Sequence, residues 1–415
     1  MTDFKQISKD AKEAKAFMNR LDTDRKNEVL RKVALNLEAD MDEILKANDK
    51  DIKKAVEANM NEGRMDRLKL TEARVKAMAE GVRQVSELPD PVGRILDEYT
   101  HANGMKITKV TTPFGVVGII YENRPNVTAD AWALTFKAGN VVILKGASDA
   151  MESNIAISEC IKKTLRDCGV DENEIILIKD TDRAVTTEFM KQKSFVDVLI
   201  PRGSAGLIKS VVENSLIPVI ETGSGNCHIY IDEDFNEDYA LDIIYNAKTQ
   251  RIGVCNAAES LVVHKNARKK LLPAIEKKLA EKHVEIRADE SSIGFLVGGV
   301  PATEEDFYKE YLDYILSVKT VDNIDEAIAH INEHSTGHSE CIISNNKENI
   351  DKFLKEIDSA CVYANVSTRF SDGFEFGLGA EIGISTQKLH ARGPMGLNEL
   401  TTYKYIISGN GQVRP

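Results

Sequence analysis

The chain has 415 residues, long enough for two or three domains, and its 42% apolar and 29% charged fractions are those of an ordinary soluble globular protein. A formal net charge of -12 argues against nonspecific binding to nucleic acid or to an anionic membrane, but leaves room for a local basic pocket that takes an anionic small molecule. The opening Met1-Thr-Asp-Phe-Lys-Gln has no apolar signal region and no stretch approaches the length of a membrane span, so a cytoplasmic protein is expected.

The six cysteines, at 160, 168, 227, 255, 341 and 361, are scattered without a CxxC, and the eight histidines form no zinc-finger spacing. His330, His334 and His338 recur at helical spacing, but Ser335-Thr-Gly337 is expected to end that helix, so no metal site is expected. Reduced thiols follow.

Residues 1 to about 88 read as helices. Phe4, Ile7, Ala11, Ala14, Phe17, Met18 and Leu21 share one helical face, and Val29, Val33, Leu37 and Ile44 continue it. Thr23 and Thr71 are the expected N-caps, and Pro89-Asp90-Pro91 closes the segment. From about 99 to 112 alternating residues predict a two-stranded ribbon turning at Asn103-Gly104, and Thr401-Thr-Tyr-Lys-Tyr-Ile-Ile-Ser-Gly near the C-terminus repeats the pattern. Such strands need a partner segment or a second subunit to cover their edges.

Between 114 and 232 short apolar runs alternate with helical stretches. Strands are expected at 115–121, 141–145, 174–178, 196–201, 217–221 and 228–232, and helices at 129–137, 151–168, 181–191 and 204–214. This is the pattern of an open, mainly parallel α/β sheet, whose ligands bind at the carboxyl ends of the strands. Asn123-Arg124, Lys145-Gly146, Arg202-Gly203-Ser204 and Glu221-Thr222-Gly223 lie just past those ends. A second α/β set runs from Ser260 to about Val362, followed by a stretch rich in glycine and aromatics from 367 to 400.

Asn246-Ala-Lys-Thr-Gln-Arg-Ile-Gly-Val-Cys255-Asn-Ala-Ala-Glu259 joins the two sets. A helix is expected over 236–250, a bend at Gly253, and a short helical turn from Asn256 to Glu259. That turn would place Cys255 near a helix N-terminus, where orphan N–H groups favour a thiolate. The alternative is an inert buried cysteine.

Other motifs are weaker. Gly377-Leu-Gly379-Ala-Glu-Ile-Gly383 fits GxGxxxG but follows no strand, and no GxxxxGK[ST] occurs. Arg202-Gly203-Ser204 makes either a phosphate cradle at a helix start or a plain capped turn. Lys145 reaches a ribose or phosphate oxygen, or is a solvated lysine at a strand end.

In order and spacing, Ile119-Ile-Tyr-Glu-Asn123-Arg-Pro, Ala138-Gly-Asn-Val-Val-Ile-Leu-Lys145, Gly203-Ser204, Glu221-x-Gly223 and Gly253-x-Cys255 resemble the aldehyde dehydrogenase superfamily. Longer motifs narrow the resemblance to its gamma-glutamyl phosphate reductases, the glutamate-5-semialdehyde dehydrogenases of proline biosynthesis. They are Arg124-Pro-Asn-Val-Thr-Ala-Asp-Ala, Pro201-Arg-Gly-Ser-Ala-Gly, Glu221-Thr-Gly-Ser-Gly-Asn-Cys-His, Ser367-Thr-Arg-Phe-Ser-Asp-Gly-Phe-Glu-Phe-Gly and His390-Ala-Arg-Gly-Pro-Met-Gly. Such a resemblance implies an α/β fold. A Rossmann-like NADP(H)-binding domain with a helical N-terminal part would cover 1–99 and 112–225, and a second α/β catalytic domain 226–365. A small β oligomerisation arm with substrate-side loops would take 100–111 and 366–415.

It also implies an enzyme that reduces L-glutamyl 5-phosphate to L-glutamate 5-semialdehyde with NADPH through a Cys255 thioester. Asn123 matches the residue whose amide holds the oxyanion, Lys145 the contact to the adenosine ribose, Gly203 and Ser204 the pyrophosphate turn, and Glu310 the glutamate on the nicotinamide ribose. Glu221 keeps the position of the usual general base, although water activation would be harmful in a phosphorylating enzyme. Ser148 stands where NAD-preferring relatives carry a glutamate against the ribose 2′-hydroxyl, which favours NADP. Arg124, Arg251, Arg369 and Arg392 are candidates for the substrate's anionic groups, each with a structural role as the alternative. A homo-oligomer, and coupling to glutamate 5-kinase, are the implied partners. Alternative readings are a hydrolytic or coenzyme-A-acylating member of the superfamily, or a non-catalytic binding protein on the same fold.

Overall fold

A computed structural model describes residues 2–414. The chain divides into two compact units. One runs through Thr222 and takes back Gly377–Gly383 and the stretch from Met395 onward; the other is Gly223–Phe376 with Ile384–Pro394. Segment 366–415, expected as one arm with its loops, is thus shared between the two.

Five helices open the first unit, at Phe4–Met18, Thr23–Ala39, Met41–Glu57, Glu62–Leu68 and Glu72–Glu87. Asp22, not Thr23, caps the second: its carboxylate accepts the Arg25 N–H at 2.8 Å, and Thr23 becomes the first helical residue. Thr71 caps the fifth as expected, accepting the Arg74 N–H at 3.2 Å.

Behind them lies a four-stranded parallel sheet in the order Ile175–Leu177, Val141–Gly146, Val116–Tyr121, Val198–Arg202. These runs are continuously apolar because helices cover both faces, and three of the four strands are buried at every position. The chain starts in the centre at Val116–Tyr121, builds outward on one side, then crosses to the other, so the switch point falls beside Val198–Arg202. Register puts Tyr121 opposite both Gly146 and Arg202, which brings Glu122-Asn123, Ala147-Ser148 and Gly203-Ser204 out at one end of the sheet. The strand expected at 217–221 is not formed. Pro218 has no N–H to continue a ladder, and only Val219 bridges Leu199.

Ile95–Thr100, Lys106–Pro113 and Thr401–Ser408 form a three-stranded antiparallel sheet with Lys106–Pro113 in the middle. The turn at Asn103-Gly104 uses a φ of +90° at Gly104. The expected ribbon therefore gains the C-terminal strand as its third member. Ile95–Thr100 is exposed at every residue, and Tyr403, Tyr405, Ile406 and Ile407 are also exposed.

The second unit is a seven-stranded parallel sheet in the order Val300–Pro301, Glu285–Ala288, Ile315–Val321, Ala258–His264, Cys227–Ile231, Ser339–Ile343, Cys361–Ala364. Ile244, Leu271 and Ile275, from helices Glu237–Thr249 and Arg268–Leu279, fill one face, and Ile328, Ile331 and Phe353 fill the other. The helical turn expected at Asn256–Glu259 is absent. Strand pairing wins there: the ladder to Cys227–Ile231 begins at Ala258, and a buried β-branched run follows. Among the described residues no helix is long and apolar enough to cross a membrane, and no group of three or more His, Cys, Asp or Glu side chains could hold a metal.

Candidate active site

In the first unit the candidate residues gather at the carboxyl end of the parallel sheet. Lys145 is buried along the last turns of its strand, and its ammonium donates to the Gly146 carbonyl at 3.2 Å. Burial lowers its pKa, and Asp180 opposes that shift. Ser148 opens a short 3₁₀ turn and is exposed.

Arg202-Gly203-Ser204 leads into helix Ala205–Asn214, with Ser204 as its N-cap. The turn already holds an anion. Glu122 accepts the Ser204 N–H at 2.8 Å and the Ser204 hydroxyl at 3.3 Å. A Cβ at Gly203 would come within 2.6 Å of that carboxylate, so glycine is what lets an anion approach the turn this closely. Glu122 thus stands in for the phosphate oxygen that such a helix start would accept from a dinucleotide. Together with the Lys145 ammonium, this donor set fits a nicotinamide dinucleotide.

Asn123, in the same turn, has a φ of +30° and is buried. Its amide nitrogen donates to the Asp149 carboxylate, and its carbonyl oxygen accepts from Arg64 at 3.3 Å. Arg64 in turn pairs with Asp149 at 3.1 Å. The same amide nitrogen donates to the Met60 sulfur at 3.9 Å, so both of its N–H groups have partners within this unit. Arg124 follows in the turn that leads to helix Val127–Lys137, and Glu221 is half-buried in the extended segment past Val219.

In the second unit Cys255 lies before the amino end of strand Ala258–His264, in the turn closed by the Ala257 N–H on the Val254 carbonyl at 3.2 Å. It is half-buried, and none of the six cysteines forms a disulfide. The expected helix N-terminus is replaced by its opposite, since the nearest helix, Glu237–Thr249, ends just before the loop. That helix end carries partial negative charge, which does not favour a thiolate.

Side chains and backbone hold the loop from several directions. Gly225 packs so closely on Cys255 that a Cβ there would lie 1.4 Å from the Cys255 carbonyl oxygen. The buried Cys227 thiol donates to the same carbonyl at 3.1 Å. The Asn256 amide donates to the carbonyls of Arg369 and Ser371 at 3.2 and 2.9 Å, while Thr368 donates to the Asn256 carbonyl at 2.8 Å. Glu310 accepts the Gly225 N–H at 2.8 Å, so the residue matched to the nicotinamide ribose is anchored to the glycine that packs on Cys255.

The four candidate arginines separate clearly. Arg369 is half-buried, its Nε donating to Gln250 at 2.9 Å. Burial lowers its pKa, the Arg251 cation pushes the same way, and the Cys255 sulfur opposes them. Arg251 is exposed beside it. Arg392 is committed elsewhere, bidentate through one nitrogen to the Asp358 carboxylate and carbonyl at 2.9 and 3.0 Å. Arg124 belongs to the first unit.

Glu122, Arg64, Asp149, Gly225 and Gln250 were not singled out from the sequence. Gly225 and Glu122 do stand inside the long motifs, and that was the signal available. Arg64 and Asp149 meet only through the fold.

The pattern of the "Aldehyde dehydrogenase family" matches residues 1–300 and 295–406. A gamma-glutamyl phosphate reductase of Lachnospira eligens is 55% identical over 414 residues, covering 100% of both chains. One from Enterococcus faecalis is 51% identical, covering 100% of this chain and 99% of its own. The crystal structure of gamma-glutamyl phosphate reductase from Thermotoga maritima superposes with a TM-score of 0.96 at 45% identity, covering 99% of each chain.

Proposed function

The chain belongs to the aldehyde dehydrogenase family, within it to the gamma-glutamyl phosphate reductases, and from that premise we propose an NADPH-dependent reduction of L-glutamyl 5-phosphate through Cys255. This would be the second step of proline biosynthesis from glutamate, carried out in the cytoplasm. The observation that carries the reading is the Cys255 loop. It is fixed by backbone contacts too close to be incidental.

Cys255 attacks the acyl carbon, a C–S bond forms, and the C–O bond to phosphate breaks. Phosphate takes the electron pair and leaves, and Arg369 with Arg251 attracts this anion. By the family resemblance the Asn123 amide would exchange its weak Met60 sulfur contact for the oxyanion that develops at the acyl carbon. NADPH, when bound, supplies the hydride that reduces the thioester. Cys255 then departs as thiolate and L-glutamate 5-semialdehyde is released. Lys145, Gly203, Ser204 and Glu310 are the residues that would hold the cofactor, and Ser148, bringing no charge to the 2′-position, favours NADP over NAD. Glu221 is kept from hydrolytic work, because a base that activated water would waste the thioester. The exposed strand Ile95–Thr100 and the apolar positions of Thr401–Ser408 would be covered in a homo-oligomer. Since acyl phosphates hydrolyse readily, coupling to glutamate 5-kinase follows.

The test is a spectrophotometric assay in the reverse direction, with glutamate 5-semialdehyde and with NADP and NAD in parallel. Reduction of NADP that requires phosphate supports the proposal. Turnover without phosphate, or only with coenzyme A, points to the hydrolytic or acylating alternatives.

A further inference from the structure

One ionic contact in the second unit has no task in the chemistry just described. Lys248, in the last turn of helix Glu237–Thr249, donates to Glu259, in strand Ala258–His264, at 2.5 Å, and both side chains are fully buried. Burial pushes Glu259 up to about 7 while Lys248 pulls it back, and burial likewise lowers Lys248. A buried ion pair is seldom a stabilising device, since apolar residues of the same volume serve a core as well or better. Its placement offers another reason for it. The two residues bracket the Cys255 loop, one on the element that enters it and one on the strand that leaves it.

Glu259 also reaches further. Its second carboxylate oxygen accepts the Leu312 N–H at 3.1 Å, and its backbone carbonyl accepts the Ser317 hydroxyl at 3.2 Å. Leu312 has a φ of +54°, a left-handed conformation that a branched aliphatic residue keeps only when its surroundings hold it. It sits just past Glu310, whose carboxylate anchors Gly225 against Cys255. The contacts thus form a ring within one unit: Lys248, Glu259, Leu312, Glu310, Gly225 and the Cys255 loop.

We propose that the Lys248–Glu259 pair is a positioning element that holds the Cys255 loop and the Glu310 bend in one register. The lysine fixes one carboxylate oxygen so that the other meets the Leu312 amide. This rests on the reading of Cys255 as nucleophile and Glu310 as a cofactor-side carboxylate.

Two variants test it in the NADP assay. In Lys248→Met/Glu259→Met the charges and the Leu312 acceptor are removed together at similar volume. In Lys248→Gln/Glu259→Gln a neutral amide pair keeps that acceptor. With unfolding midpoints close to the parent's, the methionine variant is expected to lose at least about tenfold in kcat or gain as much in KM for NADP, because a small misplacement of reacting groups costs this much. The glutamine variant recovers to within about threefold. A folded methionine variant with kcat and KM within about twofold of the parent overturns the proposal, as does equal loss in both variants.

Where the methionine variant does not fold, hydrogen exchange of the Leu312 amide in the glutamine variant decides. Turnover and protection that rise or fall together support the tether, and turnover indifferent to that protection overturns it. Cys255→Ala in the same assay separates the two layers: its activity would remove the premise, whereas its inactivity beside a normal methionine variant removes only the tether.

Discussion

The two parallel sheets present their candidate residues at opposite ends. In the first unit Lys145, Ser148 and Ser204 sit at the carboxyl ends of strands, next to the switch point, where an open α/β sheet ordinarily binds ligands. In the second, Cys255 precedes strand Ala258–His264, Gly225 precedes Cys227–Ile231, and Glu310 precedes Ile315–Val321, so the cluster lies at the amino ends. The first site is held by a side-chain carboxylate, Glu122 on the Ser204 N–H, which a ligand anion would exchange. The second is rigid, packed backbone to backbone and backed by a buried ion pair. The topology rule therefore points to the residues proposed for the cofactor and not to Cys255, whose setting depends on particular side chains.

Substitutions can break this contrast at either site. The largest effect is expected for Gly225→Ala, whose Cβ would overlap the Cys255 carbonyl oxygen. The loop must move, and kcat should fall by about 100-fold or more while circular dichroism still reports a folded protein. Unchanged turnover would show that the loop is not aimed by this contact. Arg369→Ala should cost about tenfold or more in kcat/KM for the phosphorylated substrate, and Arg392→Ala much less, because Arg392 is engaged by Asp358. Equal losses in the steady-state kinetics of the two variants would merge what the structure separates.

At the exchangeable site the expected change is a gain. Under the proposed function Glu122→Gln would remove a negative charge that competes with the cofactor pyrophosphate for the Ser204 turn, and NADP should bind about fivefold more tightly in a fluorescence titration. Weaker binding would make Glu122 a contact to the cofactor. The smallest effect concerns pH. Folding raises Glu259 from 4.5 to about 7, so between these values the folded state keeps a proton that the unfolded state releases. Its contribution is complete below about pH 4.5 and is lost as pH rises toward 7. Denaturant titrations of Glu259→Gln should lack that downward slope.

Much of the fold was legible because its signals are local. Continuous apolar runs gave the buried parallel strands, and alternation with Asn103-Gly104 gave the hairpin. The failures have local causes as well. Thr23 yielded the cap to Asp22 one residue earlier, and Pro218 ended a strand that its apolar neighbours suggested. Asn256–Glu259 had ordinary helical composition, but the ladder to Cys227–Ile231 decided its conformation.

The candidate site divides in the same way. Cys255 and Ser204 stand out in the sequence because motifs carry them. Periodicity cannot show that Gly225 touches Cys255, or that Lys248 and Glu259 meet, since both contacts exist only after the sheet has formed. Nor does sequence separate Arg369 from Arg392, since each lies inside a long motif. The difference is a surface carboxylate, Asp358, beside one of them.

The central claim is that Cys255 carries the acyl group, and Cys255→Ala tests it most directly. The variant should bind NADP as the parent does and show no phosphate-dependent turnover with glutamate 5-semialdehyde. Activity close to the parent's would contradict the account.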